Sequence, residues 1–230
     1  MSRIFFYLGD KSLDYQTLVD RHDDILIDNK RIPISRIIIA EQTHSDLVHR
    51  CRSDDCGAGI GDHPSIPACD ALISNIPNQY LLIRTADCYP ILLFDPIKEV
   101  VGAVHSGRAG TQKNITGKTI QMMIEEFGCD PGNIVAYVGA GICEEHYEVG
   151  SDLFEAFNEE LSKNGFNPFT NLPGHLNLRR TIFQQLIRAG LRFINIENIH
   201  ICTFEDPAYF SYRRDHGNNR QVNIIGISYE

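Results

Sequence analysis

Residues 80–107 read YLLIRTADCYPILLFDPIKEVVGAVHSG, three apolar runs separated by two short polar segments. The runs lie at Leu81–Arg84, Ile91–Phe94 and Val100–His105 and are rich in Leu, Ile and Val. Short apolar runs of this kind, bounded by turn residues, are typical of strands buried in a sheet. We therefore predict three strands here, with the polar segments at their ends.

Similar runs occur along the rest of the chain. Further predicted strands are the apolar stretch within Met1–Asp10, Arg36–Ala40, Ala71–Ser74, Ile134–Val138, Ile199–Thr203 and Val222–Ile227. Apolar residues at helical spacing predict helices over Lys113–Phe127, Ser151–Lys163, with Ser151 as N-cap, and Leu178–Ala189. Because strands and helices do not alternate regularly, the pattern favours an α/β sandwich with mixed sheets over a doubly wound parallel fold.

Composition narrows the class of protein. The chain has 230 residues, 43% of them apolar and 22% charged, as expected for one soluble domain, 1–230, with a real core. No apolar run has membrane-span length and Ile4–Leu8 is too short for a signal-peptide core, so we expect a cytoplasmic protein without a membrane partner. A net charge of −9 without a dense basic cluster argues against nucleic-acid binding, and nothing indicates an obligate protein partner.

Two features of the chain do not by themselves indicate a function. The seven cysteines include no CxxC pair, which argues against a disulfide framework or a zinc ribbon and for mostly buried thiols. The segment 56–67 is rich in Gly and Pro, and we predict a long surface loop there.

Three reactive side chains stand at the ends of predicted strands. They are His44, Cys88 and His105. One thiolate and two imidazoles bind zinc and leave a fourth position open, the pattern of catalytic zinc sites. The same residues also suit a metal-free mechanism in which His105 takes the proton of a nucleophilic Cys88. No local motif joins the three, so their spacing leaves both interpretations open.

The segment after His105 reads Ser-Gly-Arg-Ala-Gly and joins a strand to a helix. The first turn of a helix presents unpaired N–H groups, which bind anions, and we expect this helix to begin after Gly110. The guanidinium of Arg108 adds a charge that grips phosphate or carboxylate. The segment therefore predicts an anion site beside His105.

Seven motifs together resemble the YfiH family, also called the laccase-domain or multicopper polyphenol oxidase family. They are QTH (42–44), CDALIS (69–74), TADCYPILLFD (85–95), GAVHSG (102–107), VGAGI (138–142), YEVG (147–150) and FSYRRD (210–215). The matches follow in order through nearly the whole chain.

This resemblance implies a four-layer α/β/β/α sandwich similar to the catalytic domain of cytotoxic necrotizing factors. It implies one zinc ion bound by His44, Cys88 and His105. We also expect Gln42 and Arg108 to bind substrate. It also implies a purine nucleoside phosphorylase that takes phosphate and adenosine, inosine, guanosine or methylthioadenosine, with adenosine deamination as a second activity.

Alternatives remain within the same resemblance. Copper-dependent polyphenol oxidation is one, although the nine histidines include no His-x-His pair and three ligands hold only one copper ion. A Cys-dependent amidase that edits peptidoglycan precursors is another, and a metal-sensing module is the non-enzymatic one. The usual family motif HAGWRG reads HSGRAG here, so Arg108 replaces Trp and Ala109 replaces Arg, which leaves the preferred nucleoside open.

Overall fold

The computed structural model describes residues 2–20, 23–168 and 170–229. Its strands are β1 (Ser2–Leu8), β2 (Ile25–Ile27), β3 (Lys30–Ile32), β4 (Ile37–Ile39), β5 (Val48–Arg50), β6 (Ala71–Ser74), β7 (Tyr80–Thr85), β8 (Tyr89–Asp95), β9 (Val100–Ser106), β10 (Val135–Val138), β11 (Ile196–Asn198) and β12 (Gln221–Tyr229). Its helices are α1 (Tyr15–Val19), α2 (Arg108–Gln112), α3 (Ile115–Phe127), α4 (Ser151–Lys163), α5 (Leu178–Arg188) and α6 (Tyr212–Asp215).

The strands form two main sheets. One has the order β1-β12-β7-β4 and the other has the order β11-β10-β8-β9-β6-β5, while β2 and β3 pair separately. The parallel pairs are β4 with β7, β5 with β6 and β10 with β11. The mixed-sheet α/β class is therefore confirmed, whereas the four-layer arrangement and the likeness to necrotizing factors stay predictions.

The stretch 80–107 links the two sheets. Strand β7 belongs to the four-stranded sheet, and β8 and β9 pair in the six-stranded sheet. The chain therefore passes from one sheet to the other at residues 86–88, and Cys88 lies on this crossing. A residue placed there reaches the edge of both sheets.

The two sheets pack face to face around a shared core. Ile83 and Ile225 of the four-stranded sheet are fully buried with Leu92 and Ala103 of the six-stranded sheet. Because side chains alternate between the faces of a strand, Leu82 points instead to the outer face of the first sheet. This alternation lets each sheet be buried on both sides.

The outer faces are covered differently. Met123 of α3, Phe157 of α4 and Ile182 of α5 pack against the six-stranded sheet. The four-stranded sheet is covered by α1 and the β2–β3 pair, through Leu18 and Ile32. Among the described residues, no helix has the length and apolar character needed to cross a membrane.

Three boundaries predicted from the sequence are wrong. Residues 199–203 form an isolated bridge and no strand, because His200 has φ 54°, and the strand is β11 just before them. The helix over Lys113–Phe127 begins later, since Asn114 is left-handed and caps α3 by accepting from the Gly117 N–H. The N-cap of α4 is Gly150, so Ser151 is the first helical residue.

The segment 56–67 differs in part from the predicted surface loop. It contains no helix or strand of its own. However, Ala58, Ile60 and Ile66 are buried and pack into the cores on the two faces of the four-stranded sheet. Because its glycines leave the segment without apolar periodicity, its contribution to the core could not be predicted from the sequence.

Candidate metal centre

The fold brings the three predicted ligands together. Strand β8 pairs with β9 so that Pro90 faces His105, which places the thiol of Cys88 beside that imidazole. Cys88 Sγ lies 3.9 Å from His44 Nε2, and the rings of His44 and His105 meet edge to face at 4.9 Å. One ligand atom from each of the three residues lies within 4.8 Å of the other two, close enough for one metal ion.

The backbone around these ligands is strained. Gln42, His44 and Asp87 have φ of 55°, 61° and 84°, in the left-handed region that costs a residue with a Cβ about 1–3 kcal/mol. Two hydrogen bonds hold Gln42 in this conformation. Its side-chain amide accepts from the Arg84 N–H at 2.9 Å and donates to the Arg84 carbonyl at 2.8 Å. Strain concentrated beside potential ligands is typical of a functional site.

Asp70 belongs to the centre, although no sequence pattern assigned it a role there. It is fully buried immediately before β6, and its Oδ1 accepts from His105 Nδ1 at 2.7 Å and from the His44 N–H at 3.0 Å. Its Oδ2 accepts from the N–H groups of Thr43 and Ser45 and from the Ser45 hydroxyl. A carboxylate bound in this way fixes the orientation of a metal-binding histidine and leaves its other nitrogen for the metal.

The signal for Asp70 was present in the CDALIS motif, but its meaning depends on strand pairing. Strand β6 runs antiparallel to β9, and the His105 N–H donates to the Asp70 carbonyl at 2.8 Å. This register alone puts the carboxylate under the imidazole.

The electrostatics of the centre favour charged forms despite burial. Burial raises the pKa of Asp70, but hydrogen bonds from His105 and Ser45 outweigh it and lower the pKa to about 2. Burial also raises the pKa of Cys88, whereas His105 and His44 lower it to about 6. The pKa of His105 rises to about 9 because Cys88 and Asp70 outweigh its burial. The thiol is therefore ready to ionise, as both a metal ligand and a nucleophile require.

Gly107 leaves the space in which the ligands meet. A Cβ at this position would lie 2.9 Å from Cys88 Sγ and 2.9 Å from His44 Cδ2. Gly107 is also the N-cap of α2, so this helix begins at Arg108. The start predicted from the sequence, after Gly110, is therefore wrong. Gly110 lies inside α2.

A cavity of about 750 Å³ opens above the three ligands. Three aromatic rings and three guanidinium groups share its wall, from Tyr15, Tyr147, Tyr212, Arg84, Arg213 and Arg220. Flat rings suit a heteroaromatic base, and guanidinium groups suit phosphate.

The guanidinium groups of the three cavity arginines donate their hydrogen bonds to uncharged oxygens. Arg84 donates to the Tyr15 hydroxyl at 2.8 Å and to the Glu41 carbonyl. Arg213 donates to the Glu148 carbonyl at 2.9 Å, and Arg220 donates to main-chain carbonyls. Because these partners do not cancel their charge, the arginines remain available to an anion.

The two predicted substrate-binding residues are placed differently. Gln42 lines the cavity, but both ends of its amide pair with the main chain of Arg84. Arg108 donates to Gln112 within α2 at 3.4 Å and is not among the residues that line the cavity. Their roles in substrate binding stay predictions.

Asp87 joins the crossing segment to two other parts of the cavity wall. Its Oδ1 accepts from Thr203 Oγ1 at 2.7 Å, and its Oδ2 accepts from the Arg213 N–H at 2.7 Å. Its carbonyl accepts from the Ile142 N–H at 2.8 Å. Asp87 therefore positions the loop that carries Cys88.

Comparisons with known proteins agree with this architecture. The family model described as multi-copper polyphenol oxidoreductase laccase matches residues 5–228. A purine nucleoside phosphorylase of Corynebacterium glutamicum is 31% identical over 98% of this chain and 88% of its own length. The purine nucleoside phosphorylase YlmD of Bacillus subtilis is 28% identical over 96% of this chain and 80% of its own length.

Solved structures show the same fold. The hypothetical protein YfiH of Bacillus licheniformis superposes with a TM-score of 0.77 at 28% identity, over 84% of this chain and 74% of that one. YlmD of Geobacillus stearothermophilus gives a TM-score of 0.78 at 27% identity, over 86% and 76%. With these matches and three convergent side chains that could bind a metal ion, the chain belongs to the laccase-like family that includes YfiH and YlmD.

Proposed function

We propose that this chain is a purine nucleoside phosphorylase with adenosine deaminase activity, and that His44, Cys88 and His105 bind a single zinc ion. The observation that carries the proposal is the cavity, which places aromatic rings, and guanidinium groups that donate to uncharged oxygens, beside three convergent ligand-type side chains. The names of the relatives from Corynebacterium glutamicum and Bacillus subtilis support the phosphorylase activity. Adenosine, inosine, guanosine and methylthioadenosine are the proposed nucleosides, in the cytoplasm and without a macromolecular partner.

The donor set suits zinc. One thiolate and two imidazoles match a catalytic site with an open position, and Asp70 supplies the orienting carboxylate that such histidines usually have. When bound, zinc supplies a Lewis acid at the base of the cavity. Copper is the alternative metal, and copper-dependent phenol oxidation is the second candidate function. It ranks below phosphorolysis, because three ligands hold one ion and provide no electron-transfer chain to further copper ions.

The cavity wall supplies binding and orientation for phosphorolysis. Arg213 and Arg220 hold phosphate, and the rings of Tyr147 and Tyr212 hold the purine. An oxygen of phosphate forms a bond to C1′ of the sugar as the bond from C1′ to the purine nitrogen breaks, and the electron pair leaves with the base. In deamination, water adds to C6 of adenosine and ammonia leaves, which gives inosine.

The test uses purified protein with adenosine and inorganic phosphate, with products separated by chromatography. We expect adenine and ribose 1-phosphate, with inosine as the deamination product. His44→Ala should abolish both reactions, whereas His63→Ala, which changes an exposed histidine outside the cavity, should retain them. The proposal is wrong if protein with bound metal cleaves and deaminates none of the four nucleosides.

A second arm separates the alternatives. The lowered pKa of Cys88 also suits a thiol nucleophile, so amidase activity on peptidoglycan precursors is assayed after the metal has been removed by a chelator. Activity that survives chelation and is lost in Cys88→Ser would indicate the amidase. Oxygen consumption with a phenol by copper-loaded protein would indicate the oxidase.

A further inference from the structure

A second cluster of ligand-type side chains lies beside the cavity, outside the centre described above. Its members are Cys143, His146, Cys202 and Glu205, and one ligand atom from each lies within 4.8 Å of all the others. The sequence arranges them as two pairs, Cys-x-x-His at 143–146 and Cys-x-x-Glu at 202–205. Paired ligands at this spacing are typical of structural zinc sites.

The distances from His146 Nδ1 to the other three ligand atoms are close to those in a tetrahedral zinc site. His146 Nδ1 lies 3.1 Å from Cys143 Sγ, 3.9 Å from Cys202 Sγ and 3.5 Å from Glu205 Oε1. Ligand atoms placed 2.0–2.3 Å from zinc at tetrahedral angles lie roughly 3.3–3.8 Å apart. The four atoms therefore need only small shifts to surround one ion.

The surrounding structure holds the two pairs in place. The N–H of Thr203 donates to the Gly141 carbonyl at 3.2 Å, and the N–H of Cys143 donates to Cys202 Sγ at 3.3 Å. The imidazole of His146 stacks on Phe204 at 4.4 Å, which fixes the plane of the ring. These contacts keep the ligand atoms of both segments facing one another.

Chemistry distinguishes this cluster from an ordinary buried thiol pair. A disulfide between Cys143 and Cys202 would use two of the four groups and leave His146 and Glu205 without a role. A divalent cation uses all four and offsets their negative charge.

We propose that Cys143, His146, Cys202 and Glu205 form a second, structural metal site that binds zinc. Four protein ligands leave no open position, so the site is closed to substrate. It ties the loop after β10 to the segment after β11. That loop carries Ile142 and Tyr147, which line the cavity, so the second ion stabilises the cavity wall without taking part in the reaction.

Elemental analysis of protein purified with a non-chelating reductant and no added metal tests the site without measuring activity. We expect about two zinc ions per chain in the wild type, about one in Cys88→Ser and about one in Cys143→Ser or Cys202→Ser. Cys129→Ala is the matched control, because it removes a buried thiol outside both clusters, and it should keep both ions.

A measurement on the unaltered protein covers variants that fail to fold. Crystals of the wild type should show an anomalous zinc peak between Cys143 Sγ and Cys202 Sγ, in addition to the peak at the first centre. The proposal is overturned if Cys88→Ser binds no metal, if this peak is absent, or if peptide mapping finds the two thiols joined as a disulfide. None of these readings depends on the proposed enzyme activity.

Discussion

The substitution Asp70→Asn tests the carboxylate beneath the metal centre most directly. In the wild type both oxygens accept hydrogen bonds, Oδ1 from two donors and Oδ2 from three. An amide keeps one oxygen and replaces the other with a donor. Whichever way it turns, at least two donors lose their acceptor.

The structure gives the size of the effect. Two hydrogen bonds to a charged acceptor contribute about 1.5–3 kcal/mol each, so the loss is roughly 3–6 kcal/mol. The fall in the pKa of Asp70 from 3.8 to about 2 corresponds to a smaller value, about 2–3 kcal/mol. Both ranges include a loss of about 3 kcal/mol. A loss of this size lowers the Tm of a chain of this length by about 6–12 °C. Loss of the orienting carboxylate should also weaken zinc binding about 10- to 100-fold.

The assay compares thermal unfolding and zinc affinity, the latter by competition with a chelator. Because the folded pKa of Asp70 is lowered, its stabilisation is complete above about pH 4 and is lost as the pH falls towards 2; the comparison is therefore made at pH 7. Asp95→Asn is the control, since that buried carboxylate lies outside the metal centre and its Oδ1, which an amide would keep, accepts from the N–H groups of Ile97 and Lys98. Zinc affinity within twofold of wild type in Asp70→Asn would refute the orienting role.

Three further predictions concern the ligands and the cavity. Gly107→Ala should weaken zinc binding about tenfold or more, because the added Cβ would push Cys88 and His44 apart. Gly150→Ala is the control, since a Cβ there has open space, and it should leave zinc binding unchanged. Equal zinc affinities of the two variants would count against the steric argument. In chelated protein, alkylation of Cys88 should persist as the pH falls to about 6 and decline below it; a midpoint near the usual pKa of a thiol would contradict this. Arg213→Gln should raise the KM for phosphate on the order of tenfold with zinc content unchanged, and an unchanged KM in initial-rate assays would exclude Arg213 from phosphate binding.

Features that depend on neighbouring residues could be predicted from the sequence, whereas features that depend on contacts between distant residues could not. Strand β6 was predicted exactly and β7, β8 and β9 within two residues, because a buried strand needs a local run of apolar side chains. The short elements α1 (YQTLV) and β5 (VHR) were missed, because polar residues interrupt them and leave neither an apolar run nor a periodic pattern. The break at Asn114 was missed because a left-handed residue can be followed by a helix without any change in apolar spacing.

The mixed α/β class, the family and three ligand-type residues could be predicted from the chain alone, because each of these depends on local pattern or on motif order. The contact between Asp70 and His105 and the grouping of three arginines around the cavity emerge only in the folded structure. It also decided that two Cys-x-x pairs, separated by tens of residues, face one another. The physical reason is that coordination and hydrogen bonding need distances of a few ångströms, and strand register and the crossing between sheets set those distances.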